Sequence, residues 1–264
     1  MEKDILHEIV AHKRIEIEEQ QKLVSISDLE KQVEQTGTGK RRSMKASLAA
    51  SATGIISEFK RRSPSKGWIK QDADPTAIVP GYQAAGASAL SILTDEKFFG
   101  GTLNDVAAVR RLVDIPILRK DFVVSRYQLL QAKAAQADTV LLIAAALSRS
   151  ECRSLAREAH NLGLEVLLEM HSESELDYVD EYTDMAGINN RNLGTFHTDV
   201  ANSFRLADRL PADVVRVSES GITNVETIKR LRAAGFQGFL IGEAFMRTEA
   251  PASALAEFIK GLQQ

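Results

Sequence analysis

The stretch GIISEFKRRSPSKG, residues 54–67, decides the fold prediction. A short apolar run enters it and a cluster of charged residues leaves it, ended by a proline and a glycine. Side chains alternate along a β-strand, so Ile56, Glu58 and Lys60 would lie on one face. Two opposite charges on the same face as an isoleucine are hard to explain as solvated surface. They indicate an ion pair on a strand at the mouth of a barrel, followed by a flexible loop that suits a phosphate.

From residue 55 onward, apolar runs typical of strands alternate with amphipathic helical runs. The predicted strands are Ile55–Phe59, Ala89–Leu93, Ile117–Lys120, Thr139–Ile143, Glu165–Glu169, Ala186–Asn189, Val214–Ser218 and Gly238–Ile241. The predicted helices are Pro75–Ala85, Leu103–Val113, Arg126–Ala135, Arg149–Leu162, Glu173–Val179, Val200–Leu210, Asn224–Ala234 and Ala252–Leu262. Eight strand–helix units predict an α/β fold, a single (β/α)8 TIM barrel over residues 51–264. A doubly wound open sheet is the rival, but no GxGxxG motif follows the first strand.

Residues 1–50 precede this repeat and are predicted to form a helical extension packed on the barrel. Apolar residues recur at helical spacing over residues 5–10. The segment Ser27–Glu30 predicts a capping box that opens a second short helix. A polar loop is expected over residues 37–43, and a third short helix over residues 44–52.

The overall composition excludes several classes of partner. Across 264 residues, 44% are hydrophobic and 26% charged, which is typical of a globular protein with a large core. A net charge of -3 gives no electrostatic case for nucleic acid, and the longest apolar run, residues 140–147, is too short to span a membrane. The single cysteine, Cys152, excludes an internal disulfide and suits a reducing compartment. The first residues lack the pattern of a signal peptide, so we expect a cytoplasmic protein.

Polar residues close most of the predicted strands, and function in a barrel of parallel strands gathers at their carboxyl ends. These residues are Glu58, Lys60, Thr94, Asp95, Lys120, Asp121, Glu169, Asn189, Arg191, Glu219, Ser220, Gly242 and Glu243. Two lysines and three glutamates that converge on one apolar mouth would be strongly coupled. Such clusters tune pKa values for proton transfer, which indicates an acid–base site.

Single members of this cluster also have plain structural interpretations. Glu58 and Lys60 could form a structural ion pair, and Lys120 could extend to solvent. Asp121 would point away from the face of Lys120, so we expect it to anchor a loop or the barrel wall. His171 is expected in a supporting or surface position. Only the cluster as a whole favours a catalytic interpretation.

Glycines follow the last two predicted strands, in the segments Ser220–Ile222 and Ile241–Glu243. Backbone amides can approach an anion closely at a glycine, and many barrels bind phosphate after strands seven and eight. A turn glycine is the ordinary alternative. Two glycines at matched places favour a phosphate site.

Several segments together resemble the indole-3-glycerol phosphate synthase family. They are EFKRRSPSKG (58–67), LTDEKFFGG (93–101), LRKDF (118–122), LLIAA (141–145), GINNRNL (187–193), SESGI (218–222) and GFLIGE (238–243). The resemblance covers nearly the whole chain, including the N-terminal helices. It implies a carboxy-lyase of tryptophan biosynthesis, which closes the indole ring of 1-(2-carboxyphenylamino)-1-deoxyribulose 5-phosphate with loss of carbon dioxide and water. It also implies that no metal or organic cofactor is needed.

The same resemblance implies roles for the acid–base residues. Lys120 would protonate the substrate carbonyl as the aromatic carbon attacks it, and Glu169 would be the second acid–base group. Glu58 would orient the lysines and hold them charged. Lys60 would bind the substrate carboxylate and could share the acid role, so the division between the two lysines stays open.

Further residues would bind the substrate. Asn189 would hydrogen-bond the substrate hydroxyls, with Glu219 completing the network. The residues implied in enclosing the substrate, its ring and its anionic groups are Ser63, Phe99, Phe122 and Arg191. The backbone amides implied at the phosphate belong to Ser220, Gly221, Gly242 and Glu243.

The chain departs from the family pattern in three places. Ser125-Arg126 replaces the usual Asp-Pro, Pro80 falls within a predicted helix that it should kink or divide, and no tryptophan occurs in the first helix. One alternative function is the isomerase that acts on phosphoribosyl anthranilate, which relies on a Cys/Asp pair, whereas Cys152 is predicted in mid-helix. A non-catalytic phosphometabolite-binding barrel is the other alternative. We expect a monomer that binds a small phosphorylated substrate.

Overall fold

Eight parallel strands close into a barrel, which confirms the predicted fold class. In the computed structural model, which describes residues 5–36 and 42–264, strands β1 to β8 are Ile55–Phe59, Ala89–Leu93, Ile117–Lys120, Thr139–Ile143, Glu165–Met170, Met185–Asn189, Val215–Glu219 and Gly238–Ile241. Each strand pairs with the next, and β8 returns to β1 with Leu240 opposite Ile56. Five strands have the predicted bounds, and three differ by one residue at one or both ends.

Inward and outward side chains alternate along the strands. Ile56 belongs to the apolar cluster inside the barrel, together with Leu118 and Leu167. Its neighbour Ile55 packs outward in the cluster shared with the surrounding helices, as does Phe59. The prediction that Ile56 points into the barrel is therefore correct. Glu58 and Lys60 follow it on the same face and point toward the carboxyl mouth of the barrel.

Helices surround the barrel. Helices α1 to α12 are Ile5–Leu23, Ile26–Thr36, Met44–Ala50, Pro75–Ala84, Glu96–Phe99, Leu103–Arg110, Arg126–Ala134, Arg149–Asn161, Ala201–Leu206, Val225–Ala233, Glu243–Met246 and Pro251–Leu262. Segments of 3₁₀ helix lie at Ala144–Ala146, Glu173–Tyr178 and Ala207–Arg209. A short hairpin follows β1 and pairs Arg62–Ser63 with Gly67–Trp68.

Three helices differ clearly from their predicted form. The helix predicted over Val200–Leu210 spans only Ala201–Leu206 and is followed by the 3₁₀ segment Ala207–Arg209. The helix predicted over residues 173–179 is the 3₁₀ segment Glu173–Tyr178, and the Glu175 carboxylate accepts the backbone N–H of residue 171 at 2.6 Å at the end of β5. The helix predicted over residues 103–113 ends at Arg110. The guanidinium of Arg110 donates to the carbonyl of Ile115 at 3.0 Å and draws the chain toward β3.

Two local predictions are wrong. The capping box of α2 lies two residues earlier than Ser27–Glu30, because Ser25 and Asp28 exchange hydrogen bonds at the start of the helix. Helix α4 continues through Pro80, so the proline does not divide it, whereas a kink at Pro80 stays a prediction. A proline removes a single intrahelical hydrogen bond, and the fully buried Tyr82 of the same helix packs in the core.

The N-terminal helices contact both ends of the barrel. Helix α1 places Leu6 and Ile9 at the carboxyl mouth. Helix α3 places Met44 and Leu48 in the interior cluster, where they close the amino end. Residues 37–41 of the predicted loop lie outside the described residues.

Candidate active site

A cleft of about 450 Å³ opens at the carboxyl ends of the strands. All the residues to which the family resemblance gives a role, except Ser63, line it, namely Glu58, Lys60, Phe99, Lys120, Phe122, Glu169, Asn189, Arg191, Glu219, Ser220, Gly221, Gly242 and Glu243. Thr94 and Asp95, which also follow a strand, are buried and do not line it. The closed sheet explains this convergence, because Glu219 of β7 lies opposite Asn189 of β6 on one side and Leu240 of β8 on the other. Residues distant in sequence therefore meet at one rim.

The two lysines form separate ion pairs. The ammonium of Lys60 lies 2.7 Å from Glu58 Oε1. The ammonium of Lys120 lies between two carboxylates, 3.0 Å from Glu169 Oε2 and 3.3 Å from Glu219 Oε2. Glu58 thus holds Lys60 directly, whereas two other glutamates hold Lys120.

Asn189 fixes the carboxylate of Glu169. Its amide Nδ2 donates to Glu169 Oε1 at 3.1 Å, which leaves Oε2 for Lys120. Both carboxylates that hold Lys120 are almost fully buried, at 2% exposure for Glu169 and 1% for Glu219. Charges in such a water-poor setting interact strongly.

The cluster shifts the pKa of each of its three central members. Burial alone would lower the pKa of Lys120, but the carboxylates of Glu169, Glu219 and Glu58 outweigh it and raise this pKa well above the ordinary lysine value. Burial opposes ionisation of Glu169, yet Lys120, the imidazole of His171 and Asn189 lower its pKa. Burial and the neighbouring Glu169 and Glu58 carboxylates raise the pKa of Glu219 despite Lys120. The two glutamates beside Lys120 therefore differ: the lowered pKa favours the ionised form of Glu169, and the raised pKa favours the protonated form of Glu219.

Ser63 lies behind the lining of the cleft. It belongs to the hairpin after β1, is 1% exposed, and its hydroxyl has no hydrogen-bond partner among the described residues. The hairpin tip, Pro64 to Lys66, lines the cleft in its place. The substrate contact implied for Ser63 stays a prediction.

Two turns face the cleft after β7 and β8, where the sequence predicts phosphate. Ser220 and Gly221 have left-handed φ values of 67° and 77°, a strained conformation for a serine. The side-chain amide of Asn190 donates to the Ser220 carbonyl at 3.0 Å and holds this turn. At residue 242, a Cβ would lie 2.5 Å from Glu58 Oε1 and 2.9 Å from Glu58 Cβ, so the side chain of Glu58 packs directly against Gly242.

Arg191 joins three loops at the rim of the cleft. Its guanidinium donates to the hydroxyl of Ser65 in the hairpin at 3.3 Å and lies 3.6 Å from Glu243 after β8. Its Nε lies 3.3 Å from the hydroxyl of Thr198. A cation in this place suits an anionic part of a ligand.

An apolar wall faces the charged cluster. The rings of Phe99 and Phe122 lie 5.9 Å apart at an interplanar angle of 37°. Leu6 and Ile9 of α1 complete the wall, so aliphatic side chains of the first helix border the cleft. The single tryptophan, Trp68, lies in the hairpin under the guanidinium of Arg62.

The helix that follows the departure at Ser125-Arg126 is capped by the serine itself. The helix begins at Arg126 as predicted, and the Ser125 hydroxyl caps it by accepting the N–H of Tyr127 at 3.2 Å. Arg126 is drawn to the surface by Glu158 at 2.6 Å and Glu30 at 2.9 Å. The serine therefore supplies the cap that an aspartate would give.

A buried ionic network beneath α1 was missed by the sequence analysis. Lys13 is 1% exposed and lies 2.9 Å from Asp95 and 3.1 Å from Asp121. Asp121 also accepts hydrogen bonds from Thr94 and Arg119, which is the anchoring position expected for it. The available signal was spacing, because Lys13 lies on the same helical stripe as the buried Leu6, Ile9 and Ile17.

The loop after β6 contributes two further residues that were not predicted. Leu193 and Phe196 both line the cleft. Phe196 has a left-handed φ of 57°, which is uncommon for an aromatic residue. Loop conformation of this kind has no periodic signal in the sequence.

His171 supports Glu169 from behind, in the supporting position expected for it. Its Nε2 lies 3.3 Å from Glu169 Oε1 and its Nδ1 lies 3.9 Å from Glu175 Oε2. The ring borders a second cavity of about 770 Å³, which shares Asn189 and Arg191 with the first cleft. Burial would lower the pKa of His171, but the carboxylates of Glu169, Glu175 and Glu219 raise it.

Residues 5–36 and 42–264, the part of the chain that the structure describes, lack two other kinds of feature. No group of three or more His, Cys, Asp or Glu side chains there has the arrangement of a metal site. Within the same described ranges, no helix combines the length and the apolar character that crossing a membrane requires.

The fold and the cleft define a class of protein, a (β/α)8 barrel with an acid–base cluster and two glycine turns at its carboxyl mouth. Residues 6–258 match the family model described as indole-3-glycerol phosphate synthase. The chain therefore belongs to the indole-3-glycerol phosphate synthase family.

Curated relatives agree with this assignment. The chain is 62% identical over 261 residues to the indole-3-glycerol phosphate synthase of Bacteroides thetaiotaomicron, covering 99% of this chain and 100% of the relative. It is 42% identical over 255 residues to the corresponding protein of Acidithiobacillus ferrooxidans, covering 96% of this chain and 97% of the relative.

Solved structures of other barrels resemble the fold. The 3-hexulose-6-phosphate synthase of Salmonella typhimurium matches with a TM-score of 0.62 at 13% identity, covering 80% of this chain and 99% of that structure. A tryptophan synthase α-subunit of Pyrococcus furiosus matches with a TM-score of 0.59 at 15% identity, covering 80% and 98%. At these identities the likeness concerns the fold alone.

Proposed function

We propose that this protein closes the indole ring of 1-(2-carboxyphenylamino)-1-deoxyribulose 5-phosphate, with release of carbon dioxide and water, to form indole-3-glycerol phosphate in tryptophan biosynthesis. It is then a carbon–carbon carboxy-lyase, as its family membership indicates. The observation that carries the proposal is the place of Lys120 in the cleft, between Glu169 at 3.0 Å and Glu219 at 3.3 Å.

Ring closure needs an acid at the substrate carbonyl. As the aromatic carbon attacks, negative charge develops on the carbonyl oxygen, and a cationic donor both stabilises this charge and supplies the proton. Lys120 suits this role because its carboxylate neighbours keep it protonated. The later loss of water requires removal of a proton from the carbon beside the ring nitrogen. Glu169 suits that step because it stays ionised and Asn189 holds it in place.

The rest of the cleft orders the substrate. Lys60, held by Glu58, binds the carboxylate that leaves as carbon dioxide. The aromatic ring lies against the Phe99 and Phe122 wall. Arg191 holds anionic groups at the rim, and Asn189 with Glu219 hydrogen-bonds the hydroxyls. The backbone amides of four residues bind the phosphate, namely Ser220, Gly221, Gly242 and Glu243.

Two alternative functions are disfavoured by specific residues. An isomerase of phosphoribosyl anthranilate needs a reactive cysteine, but Cys152 is buried in α8, does not line the cleft, and has its pKa raised to about 12 by burial. A non-catalytic barrel would keep the phosphate turns but would have no need of two buried lysine–carboxylate clusters, because such clusters are costly to desolvate.

The proposal also covers the oligomeric state of the protein and its place in the cell. The protein acts as a monomer in which residues 1–50 form a helical extension on the barrel of residues 51–264. Contacts of α1 with the cleft and of Lys13 with Asp95 and Asp121 support this division. A buried single cysteine that forms no internal disulfide supports a reducing cytoplasm. The phosphorylated substrate is the small-molecule partner, and no cofactor is involved.

Incubation with the synthetic substrate tests the function directly. Indole fluorescence should appear together with an equal amount of carbon dioxide, without added metal or cofactor. Phosphoribosyl anthranilate serves as the second substrate, and isomerisation of it would favour the first alternative. Binding of the carboxyphenylamino substrate without any turnover would favour the non-catalytic barrel.

A further inference from the structure

Two separate turns of the chain carry the aromatic wall of the cleft. Phe99 belongs to α5, which follows β2, and Phe122 follows β3. Their rings lie 5.9 Å apart at the cleft. The proposed function, on which this inference rests, places the aromatic ring of the substrate against this wall. The spacing of the two rings depends on whatever holds the two turns beside each other.

A buried carboxylate fixes the backbone of each turn. Asp95 Oδ1 accepts the N–H of Phe98 at 2.7 Å and so caps α5. Asp121 Oδ1 accepts the N–H of Phe122 at 2.8 Å. Asp95 is 0% exposed and Asp121 is 2% exposed. Each turn of the wall is therefore tied to a negative charge that water does not reach.

The ammonium of Lys13 joins these two carboxylates. It lies 2.9 Å from Asp95 Oδ2 and 3.1 Å from Asp121 Oδ1. Asp121 has a second cation, because Arg119 donates to its Oδ2 at 2.8 Å. Asp95 has no second cation, since Lys13 is the only described residue that forms an ion pair with it.

The bridge is charged, and nothing nearby replaces it. Burial alone would lower the pKa of Lys13, but the carboxylates of Asp121 and Asp95 outweigh it and raise this pKa. Without the ammonium, the Asp95 carboxylate would be buried without a counter-charge, beside the carboxylate of Asp121. Like charges in such a site repel strongly, so the two turns would move apart.

Lys13 is itself held in place by a polar network between α1 and the barrel. Glu16, one turn further along α1, lies 2.9 Å from the ammonium. Gln20 donates to Glu16 at 3.0 Å, and Gln131 of α7 donates to Gln20 at 2.8 Å. The bridge is therefore anchored outside the two turns that it joins.

We propose that Lys13 is a positioning residue that sets the affinity of the cleft for the aromatic half of the substrate. Its bridge between Asp95 and Asp121 keeps the Phe99 and Phe122 turns at the spacing that the ring requires. Lys13 does not line the cleft and acts only through these turns. The glycine turns after β7 and β8 lie on other strands, so phosphate binding should not depend on it.

Two ligands separate ring binding from phosphate binding. Lys13→Met removes the charge and keeps most of the side-chain length. Its dissociation constant for indole-3-glycerol phosphate should rise about ten-fold, whereas that for inorganic phosphate should stay within about two-fold of wild type. Initial rates should show KM raised with the first constant and kcat within about three-fold of wild type, because Lys120 keeps both of its carboxylates. Isothermal titration calorimetry measures the two dissociation constants.

A merely structural role would change the affinity for both ligands or for neither. Equal weakening of the two ligands, an unchanged product affinity, or a fall in kcat at unchanged KM would overturn the proposal. The matched control is Glu165→Ala, at the amino end of the barrel, where Glu165 accepts the N–H of Met44 at 2.6 Å. It should keep the product affinity of wild type. A similar loss in this control would assign the effect to general instability and would also overturn the proposal.

Asp95→Asn cuts the same bridge from its other end if Lys13→Met does not fold. The asparagine still provides a cap for α5, and Lys13 stays paired with Asp121. The product affinity should fall about three-fold with phosphate affinity unchanged, and no such selective loss would contradict the proposal. Wild-type turnover with a negative result here would remove only the role of Lys13, whereas a wild type without turnover would remove the proposed function.

Discussion

Lys120 lies between two buried carboxylates, which raise the pKa of its ammonium group and suit it to the proposed role of acid in ring closure. Lys120→Ala should therefore lower kcat about 100-fold or more, because the reaction loses its general acid. Indole fluorescence measures the rate. The control Lys31→Ala removes an exposed lysine of α2 and should leave kcat unchanged. Near-normal turnover of Lys120→Ala would remove the residue from the acid role.

Lys60 has a different partner and is expected to have a different role. Its ammonium is held by Glu58 at 2.7 Å, apart from the pair that holds Lys120. Lys60→Ala should mainly raise KM, because the substrate carboxylate loses its cation. Initial rates over a range of substrate concentrations separate the two constants. An unchanged KM with a collapsed kcat would instead make Lys60 the acid.

Glu219 gives the folded protein a pH dependence of known sign. Its pKa is raised by burial and by nearby carboxylates, so the folded state holds a proton that the unfolded chain releases. The stability it contributes is complete below the ordinary carboxyl pKa of 4.5 and is lost as the pH rises through the folded-state pKa of about 8. Glu219→Gln should remove this dependence, so wild type should lose about 1 kcal/mol or more relative to the variant between pH 5 and 8. Urea unfolding at both pH values measures the difference, and a parallel decline of the two proteins would refute the assignment.

At the residue scale, the sequence predicted the charged lining well and the supporting network poorly. Glu58, Lys120 and Glu169 end apolar strands, and alternation along a strand fixes which way such residues point. Lys13 was not predicted, because its two aspartate partners follow β2 and β3 and are distant from it in sequence. Phe196 depends on a left-handed backbone that local sequence does not encode.

At the element scale, α3 closes the amino end of the barrel, and Glu165 of β5 holds its first turn. The carboxylate accepts the Ser43 hydroxyl and the N–H groups of Met44 at 2.6 Å and Lys45 at 3.0 Å. Glu165→Ala should lower the free energy of unfolding by about 3 kcal/mol, because three donors lose a charged acceptor at a helix N-terminus. Urea denaturation measures the loss.

The same substitution should leave catalysis intact, since Glu165 lies at the end of the barrel opposite the cleft. The kcat of folded Glu165→Ala should match that of wild type. The control Glu257→Ala removes an exposed carboxylate of α12 and should have little effect on stability. Equal stabilities of the two variants would show that Glu165 does not clamp α3.

Element prediction succeeded where periodicity is strong and failed where side chains compete with the backbone. Five strand ranges match because buried parallel strands are uniform apolar runs bounded by turns. The 3₁₀ segment after β5 and the early end of α6 depend on Glu175 and Arg110, whose backbone partners are known only from the folded chain. The continuity of α4 through Pro80 likewise depends on tertiary packing.

At the scale of the whole molecule, contacts that stabilise the fold lie at one end of the barrel, and the residues proposed for catalysis lie at the other end. Ionic contacts that hold α3 lie at the amino end, whereas the lysines, glutamates and glycine turns lie at the carboxyl end. Barrels of similar shape at 13% and 15% identity show that the fold alone does not determine this chemistry. The family assignment therefore rests on matching sequence, and the proposed mechanism on the geometry of one rim.

A crystal structure with indole-3-glycerol phosphate bound tests the central claim most directly. The account predicts the phosphate at the turns of Gly221 and Gly242, the indole ring against Phe99 and Phe122, and the ammonium of Lys120 beside the carbon that carried the substrate carbonyl. A product phosphate at another part of the molecule, or a ring bound far from Lys120, would contradict the account.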